Sequence, residues 1–321
     1  MLEHLPDLPT LTVGLTYVFR NNGYADGQVT IVDREPNVYA STFPSEIVTC
    51  RFADGSELRL FCKYGAGHFQ SSHGHRGGVA YEAEVYCHLL QPLAVSVPTS
   101  YGAYTNSMTG DTWLILEHLE NSVSVKKLPG AAAMGLAARW IGRFHAAQEA
   151  RLSSAPRPCV NTYDVKYYRG WARRTSLFAG QVAHRRPWLA TLCARVEGVA
   201  APLLAAPSTV IHGEYYPHTV LVRGGQVYPV DWESAAIAAG EIDLASLTEH
   251  WPADVVRQLE RDYQQARWPA GVPSHFARTL AAARLYLQLR WLGDRPSWTS
   301  DERTPWRFEQ LRSAGEQLGL I

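Results

Sequence analysis

The feature that most constrains this chain is a pair of β-prone runs on either side of a Gly224-Gly225 turn, with a polar loop leading into the first. The first run ends Val220-Leu221-Val222 and the second begins Val227-Tyr228-Pro229-Val230, so the two predict a tight hairpin. Counting back from the turn sets Val222 opposite Val227 and Val220 opposite Pro229. Thr219 then faces Val230, and Asp231 emerges beside the start of the first strand. The loop 212–218 and the carboxylates of Asp231 and Glu233 are therefore expected to converge at one end of the hairpin.

Two acids and a polar loop at one point suit phosphoryl transfer. One carboxylate can accept a hydroxyl proton while another holds magnesium against nucleotide phosphates. The rest of the chain is organised in two parts. Strand-like alternation occupies 29–32, 46–52, 57–64, 101–105 and 112–116, with turns at 53–56 and 106–111 and one helix over 79–90. Beyond residue 119 the pattern turns helical, over 131–150, 160–192, 254–267, 276–292 and 305–318. In 276–292 one apolar stripe runs Phe276, Leu280, Ala283, Leu287, Trp291, with Ser274 as the expected N-cap. The reading is α+β: a small β-rich lobe over 1–118 and a larger helical lobe over 119–321.

At 321 residues the chain is long enough for two such lobes. Lys+Arg and Asp+Glu each number 30, so no basic excess points to nucleic acid or an anionic membrane. Any anion must be held by a local site. The five cysteines are scattered and suggest neither a disulfide framework nor a zinc knuckle. The first residues lack the basic and apolar regions of a signal peptide, and the most apolar tract, 199–211, is broken by Pro202 and Pro207. A cytoplasmic protein is the expectation.

The segment His212-Gly213-Glu214, followed by Thr219 and then Asp231 after the hairpin, resembles the aminoglycoside phosphotransferase and choline kinase group of protein-kinase-like enzymes. That resemblance implies a protein-kinase-like two-lobed fold with ATP, or another nucleoside triphosphate, and Mg2+ as cofactors. It sets Glu214 on the family's catalytic Asp, Thr219 on its metal-binding Asn and Asp231 on its metal-binding Asp. Asp243, in Glu241-Ile242-Asp243-Leu244, falls on the buried Asp that steadies the catalytic loop. The segment Trp140-Ile141-Gly142-Arg143-Phe144-His145 is similar to another family segment. In the first lobe, Lys63 matches the phosphate-binding lysine and Glu82 its pairing acid, with Glu84 as the alternative. The strand ending in Glu117-His118-Leu119 resembles the hinge whose backbone holds adenine, so Glu117 and Leu119 join the nucleotide set. The loop 39–45 stands where phosphates are covered. It has no glycine, so Ser41 and Thr42 would contribute hydroxyls.

Two positions depart from the family pattern. Glu214 keeps the carboxylate but adds a methylene, and Thr219 offers a hydroxyl where Asn offers an amide oxygen. Glu233 is the residue expected to supply a compensating hard ligand. Acceptor recognition falls, on the family's architecture, to inserted helices, where Tyr168, Arg169, Trp171 and Arg173 stand in an aromatic and basic stretch. A packed helix face explains that stretch equally well. Its basic character disfavours a polycationic acceptor. The expected reaction is transfer of the γ-phosphoryl group to a hydroxyl of a small molecule, or to a peptide Ser or Thr. A catalytically silent relative that binds nucleotide or a partner protein is the alternative.

Overall fold

The structure is a computed structural model, and it describes residues 5–24, 27–38, 42–66, 72–154, 160–300 and 304–321. The chain divides into two compact units, Met1–Val123 with Leu221–Ser234, and Ser124–Val220 with Ala235–Ile321. In order, the first part runs α1 (Leu8–Asn21), β1 (Thr30–Pro36), β2 (Ser45–Arg51), β3 (Glu57–Tyr64), α2 (Gly78–Val85), β4 (Ser100–Thr105), β5 (Thr112–Glu117) and β6 (Val123–Ser124). Then come α3 (Ala132–Ser154), β7 (Asn161–Thr162), α4 (Val165–Phe178), α5 (Trp188–Ala194), α6 (Glu197–Ala205), β8 (Ser208–Ile211), β9 (Val220–Arg223) and β10 (Gln226–Pro229). The chain finishes with β11 (Ala236–Ala239), α7 (Glu241–Thr248), α8 (Ala253–Arg267), α9 (Phe276–Asp294), α10 (Pro296–Ser300) and α11 (Pro305–Gln317).

In the first unit a five-stranded antiparallel sheet has the order β1-β2-β3-β5-β4. Successive side chains on a strand point to opposite faces, and β3 shows what that does. Leu60, Cys62 and Tyr64 enter a core with Leu11, Leu15, Val18 and Phe19 of α1, so Lys63 is turned to the opposite face. Helix α1 was not expected from the sequence. Its signals are Asp7 as N-cap, whose carboxylate accepts from the Thr10 amide at 2.9 Å, and Pro9 in the first turn. The helix expected over 79–90 is α-helical only to Val85, then passes through a π turn at Tyr86–Leu90 and a 3-10 turn at Gln91–Leu93. Gly224 and Gly225 both have positive φ, 57° and 77°, as a two-residue hairpin between β9 and β10 requires.

The second unit is helical around α9. The single stripe expected there is exceeded, because 15 of the helix's residues are buried, Arg290 and Gln288 among them. A helix buried on all sides is a core element, not a surface one. Its N-cap falls on His275, and no side chain caps it, in place of the expected Ser274. The long helix expected over 160–192 is broken as well. Asp164 caps α4 by accepting from the Tyr167 amide at 2.8 Å, and a 3-10 stretch and Pro187 separate α4 from α5. A small sheet, β7-β11-β8, lies ahead of the loop 212–218. Among the described residues no single helix is long and apolar enough to cross a membrane; only the bent pair α5 and α6 passes by length and composition.

Candidate functional site

Lys63 is the centre of a charge cluster within the first unit. Its ammonium donates to Glu82 Oε2 and to Asp231 Oδ1, each at 2.6 Å. Glu82 uses its other oxygen to accept from the Trp232 amide at 3.0 Å, so the helix acid fixes both the lysine and the backbone after Asp231. Glu84, by contrast, lies in solvent and pairs with His88 at 3.0 Å. Burial works against the charge on Lys63, but Asp231, Glu82 and Glu233 outweigh it and hold the ammonium above its ordinary value. Glu82 is shifted up, chiefly by its own burial and against the pull of Lys63.

Asp231 has φ of 68°. A non-glycine residue in the left-handed region costs about 1–3 kcal/mol and tends to mark a functional position. Its side chain is 38% exposed, whereas that of Glu82 is 1% exposed. Asp231 is therefore the acid of the pair that a ligand can reach. Glu233 is buried, with Arg76 Nε 3.8 Å from its Oε1 and its carbonyl accepting from the Gly77 amide at 2.8 Å. Phe43 is buried under the lysine, with its ring centroid 5.4 Å from Nζ. Thr42 is exposed, and Ser41 lies outside the described residues. At the end of β5, Glu117 accepts from Arg223 at 2.8 Å and from the Thr99 hydroxyl at 3.1 Å. Burial opposes its charge, and these bonds keep it below the usual value. Its amide donates to Thr99 O at 2.8 Å, and Leu119 is buried beside it in sequence.

In the second unit the loop 212–219 hangs on Asp243, at the start of α7. That carboxylate accepts from the His212 amide at 2.7 Å and the Gly213 amide at 2.9 Å. His145 Nε2 stands 3.1 Å from the same carboxylate, and its Nδ1 3.0 Å from Tyr263 Oη. Arg267 donates to that phenol oxygen at 2.6 Å. The Asp243 carboxylate can only accept, so Nε2 carries the imidazole proton, and in a neutral ring Nδ1 accepts from the Tyr263 hydroxyl. Neutral histidine fits this chain, and burial, the largest influence, pushes His145 below its ordinary value despite Asp243. The turn itself is closed by Thr219, whose hydroxyl lies 2.8 Å from Glu214 O and 3.0 Å from Tyr216 O. Thr219 is thus a brace of the loop.

Glu214 is nearly buried, and its Oε1 accepts from Arg290 Nη1 at 3.2 Å. Arg290 Nη2 donates to Tyr216 Oη at 2.5 Å, which also accepts from Trp291 Nε1 at 2.8 Å. Arg290, Tyr216 and Trp291 had no role in the sequence reading; the stripe 276–291 marks Trp291 only as apolar. Of the acceptor candidates, Tyr168 and Trp171 are fully buried, and Tyr168 packs edge-on against Tyr286 at 5.3 Å. Arg169 pairs with Glu197 on the surface and Arg173 is exposed.

Among the described residues no group of three or more His, Cys, Asp or Glu is arranged to hold a metal alone. Magnesium does not need one, since it takes one or two carboxylates and completes its shell with phosphate oxygens and water. The half-exposed carboxylate of Asp231, a hard oxygen donor, fits that use.

Residues 69–286, most of the chain, match the model of a family described as the phosphotransferase enzyme family. An aminoglycoside 2′-phosphotransferase-IIIa, solved as its GDP complex, superposes with a TM-score of 0.62 at 14% identity, covering 95% of this chain and 98% of its own. A choline kinase from Cryptosporidium parvum Iowa II gives 0.62 at 10% identity, over 96% and 97% of the two chains. A macrolide 2′-phosphotransferase from Brachybacterium faecium gives 0.52 at 14% identity, over 96% and 97%. At these identities the likeness is one of fold, and it is the protein-kinase-like α+β fold. No curated protein matches the sequence.

Proposed function

Because the chain belongs to the phosphotransferase enzyme family and is a kinase, we propose that it transfers the γ-phosphoryl group of ATP to a hydroxyl of a small molecule, with Glu214 as general base. The observation that carries this reading is Lys63, held at 2.6 Å by both Glu82 and Asp231. An ammonium facing two acids is poised to exchange one of them for phosphate oxygens. Glu82, buried and tied to the Trp232 amide, stays with the lysine; Asp231, half-exposed, is the residue that would hold the metal. Magnesium, when bound, neutralises charge on the β- and γ-phosphate oxygens. The backbone around Glu117 and Leu119 takes the adenine edge, and Thr42 and Ser41 belong to the segment that covers the phosphates.

Glu214 accepts the proton of the attacking hydroxyl as the acceptor oxygen bonds to the γ-phosphorus. The bond to the β,γ-bridging oxygen breaks, and ADP leaves with that electron pair. Asp243 and neutral His145 move no proton in this scheme; they keep the loop amides in place. Tyr168 and Trp171 pack the helical unit, and Arg169 and Arg173 are the members of that stretch that solvent and an acceptor can reach.

The test is ATP consumption in magnesium buffer with a panel of hydroxyl compounds, for wild type and Glu214→Gln. Turnover that falls about 100-fold or more in the variant, with nucleotide binding retained, supports the reading. One observation favours a second reading: Thr219 braces the loop where the family places a metal ligand. Magnesium–ATP binding with no turnover on any small molecule or Ser/Thr peptide would establish that silent, nucleotide-binding role instead.

A further inference from the structure

We propose that Arg290 is the positioning residue that makes a glutamate usable at position 214, a role that rests on Glu214 being the base. Glutamate is one methylene longer than aspartate, which adds a rotatable bond between the loop and the reacting oxygen. A displacement of about 1 Å at a catalytic group costs on the order of 100-fold in rate, so the added freedom has to be removed. Arg290 removes it.

The guanidinium comes from α9, the buried core helix, and its side chain is 1% exposed. It donates Nη1 to Glu214 Oε1 at 3.2 Å and Nη2 to Tyr216 Oη at 2.5 Å. One rigid fork therefore holds residues on both sides of Tyr215. Trp291 closes the arrangement, with its indole N–H on the same phenol oxygen at 2.8 Å and its ring 4.7 Å from Arg290 Cζ. A guanidinium buried this deeply requires a carboxylate partner, and Glu214 is the carboxylate within ion-pair distance. Tyr286 of α9 and Tyr167 of α4, joined by a 2.8 Å bond between their hydroxyls, also act on it, as do Tyr163 and Arg307. The three tyrosines keep their protons, because burial pushes them well above the ordinary tyrosine value.

Holding Oε1 fixes the reach of the Glu214 carboxylate, the group we assign to the acceptor proton. An aspartate at the same backbone position would fall about 1.5 Å short, one carbon–carbon bond, and would not reach the fork. The pair is thus matched to the longer acid, and Arg290 should matter only while residue 214 is a glutamate.

That dependence is the test. Magnesium–ATP turnover is measured with the best hydroxyl acceptor of the panel, or with water if none is better. The four proteins are the wild type, Arg290→Met, Glu214→Asp and the double variant, and a melting curve of each shows that it is folded at the assay temperature. Arg290→Met is expected to lower kcat by about 10- to 100-fold while KM for ATP changes by less than about threefold. In the Glu214→Asp background the same substitution is expected to change kcat by less than about threefold. Equal losses in both backgrounds overturn the proposal, as does a loss that appears in KM for ATP alone. If Arg290→Met is not folded, Arg290→Lys, which keeps the charge and loses the fork, is compared across the same two backgrounds with the same criteria. Full turnover in Glu214→Gln, or none in the wild type, instead overturns the assignment of Glu214 as base, and the Arg290 role with it.

Discussion

At the scale of single residues, the neutral state of His145 links stability to pH. An unfolded histidine takes up a proton below about pH 6.5, whereas burial holds His145 below that value in the fold. The unfolded chain therefore binds more protons as the pH falls through this range, and stability falls with it. The contribution is complete above about pH 6.5 and declines towards the folded value, by at most about 1.4 kcal/mol per pH unit. Urea melts between pH 8 and 5 should show this slope, and His145→Gln should flatten it. Lys63→Met removes the cation that both Glu82 and Asp231 address. Its expected cost is about 100- to 1000-fold in kcat/KM for ATP, measured by steady-state turnover. The contacts of Asp231 and Asp243 were foreseeable because each lies in a short motif, and those of Lys63 because it lies at the end of a strand. Those of Arg290 were not, for a physical reason: its partners Glu214 and Tyr216 are more than seventy positions away, and helical periodicity alone gives a charged residue no reason to be buried.

At the scale of elements, the crossing of α3 and α8 positions the support of the loop 212–219. Gly142 faces α8, and a Cβ there would meet the Tyr263 carbonyl oxygen at 2.8 Å, a backbone atom that cannot swing away. Gly142→Ala should separate the helices and pull Tyr263 from His145, at a cost of about 1–3 kcal/mol in a denaturant titration. The glycine was visible in the motif 140–145, but its reason was not, since the partner helix is set by tertiary packing. Strands β3, β4 and β5 were readable to within a residue because apolar alternation and turn residues agree there. The break between α4 and α5 and the π turn after α2 were missed for the opposite cause: aromatic, alanine and arginine residues are compatible with a continuous helix, and only packing interrupts it. Helix α1 was missed although Asp7, Pro9 and the i, i+4, i+8 set Leu11, Leu15, Phe19 marked it.

At the scale of the whole molecule, a balanced charge of 30 basic and 30 acidic residues supplies no long-range field, so on the proposed function capture of the nucleotide falls to Lys63. Binding should then appear as stabilisation. At a magnesium–ATP concentration 100 times its dissociation constant the folded state gains about 2.7 kcal/mol, read as a rise in melting temperature. EDTA should abolish most of that rise, and Asp231→Asn should make the remaining shift insensitive to magnesium.

The first unit is assembled from two separated stretches of chain, Met1–Val123 and Leu221–Ser234. A ribosome that has released residue 123 has delivered the whole sheet from β1 to β5, yet Lys63 has no Asp231 and Glu82 has no Trp232 amide to accept from. More than a hundred further residues must be translated before those partners exist, which at about 5–20 residues per second takes seconds. The unit begun first is completed late, and its charge cluster cannot form on a nascent chain shorter than residue 232. If that cluster captures the nucleotide, as proposed above, truncated products would lack it, and only chains that already contain the loop 212–219 would have it.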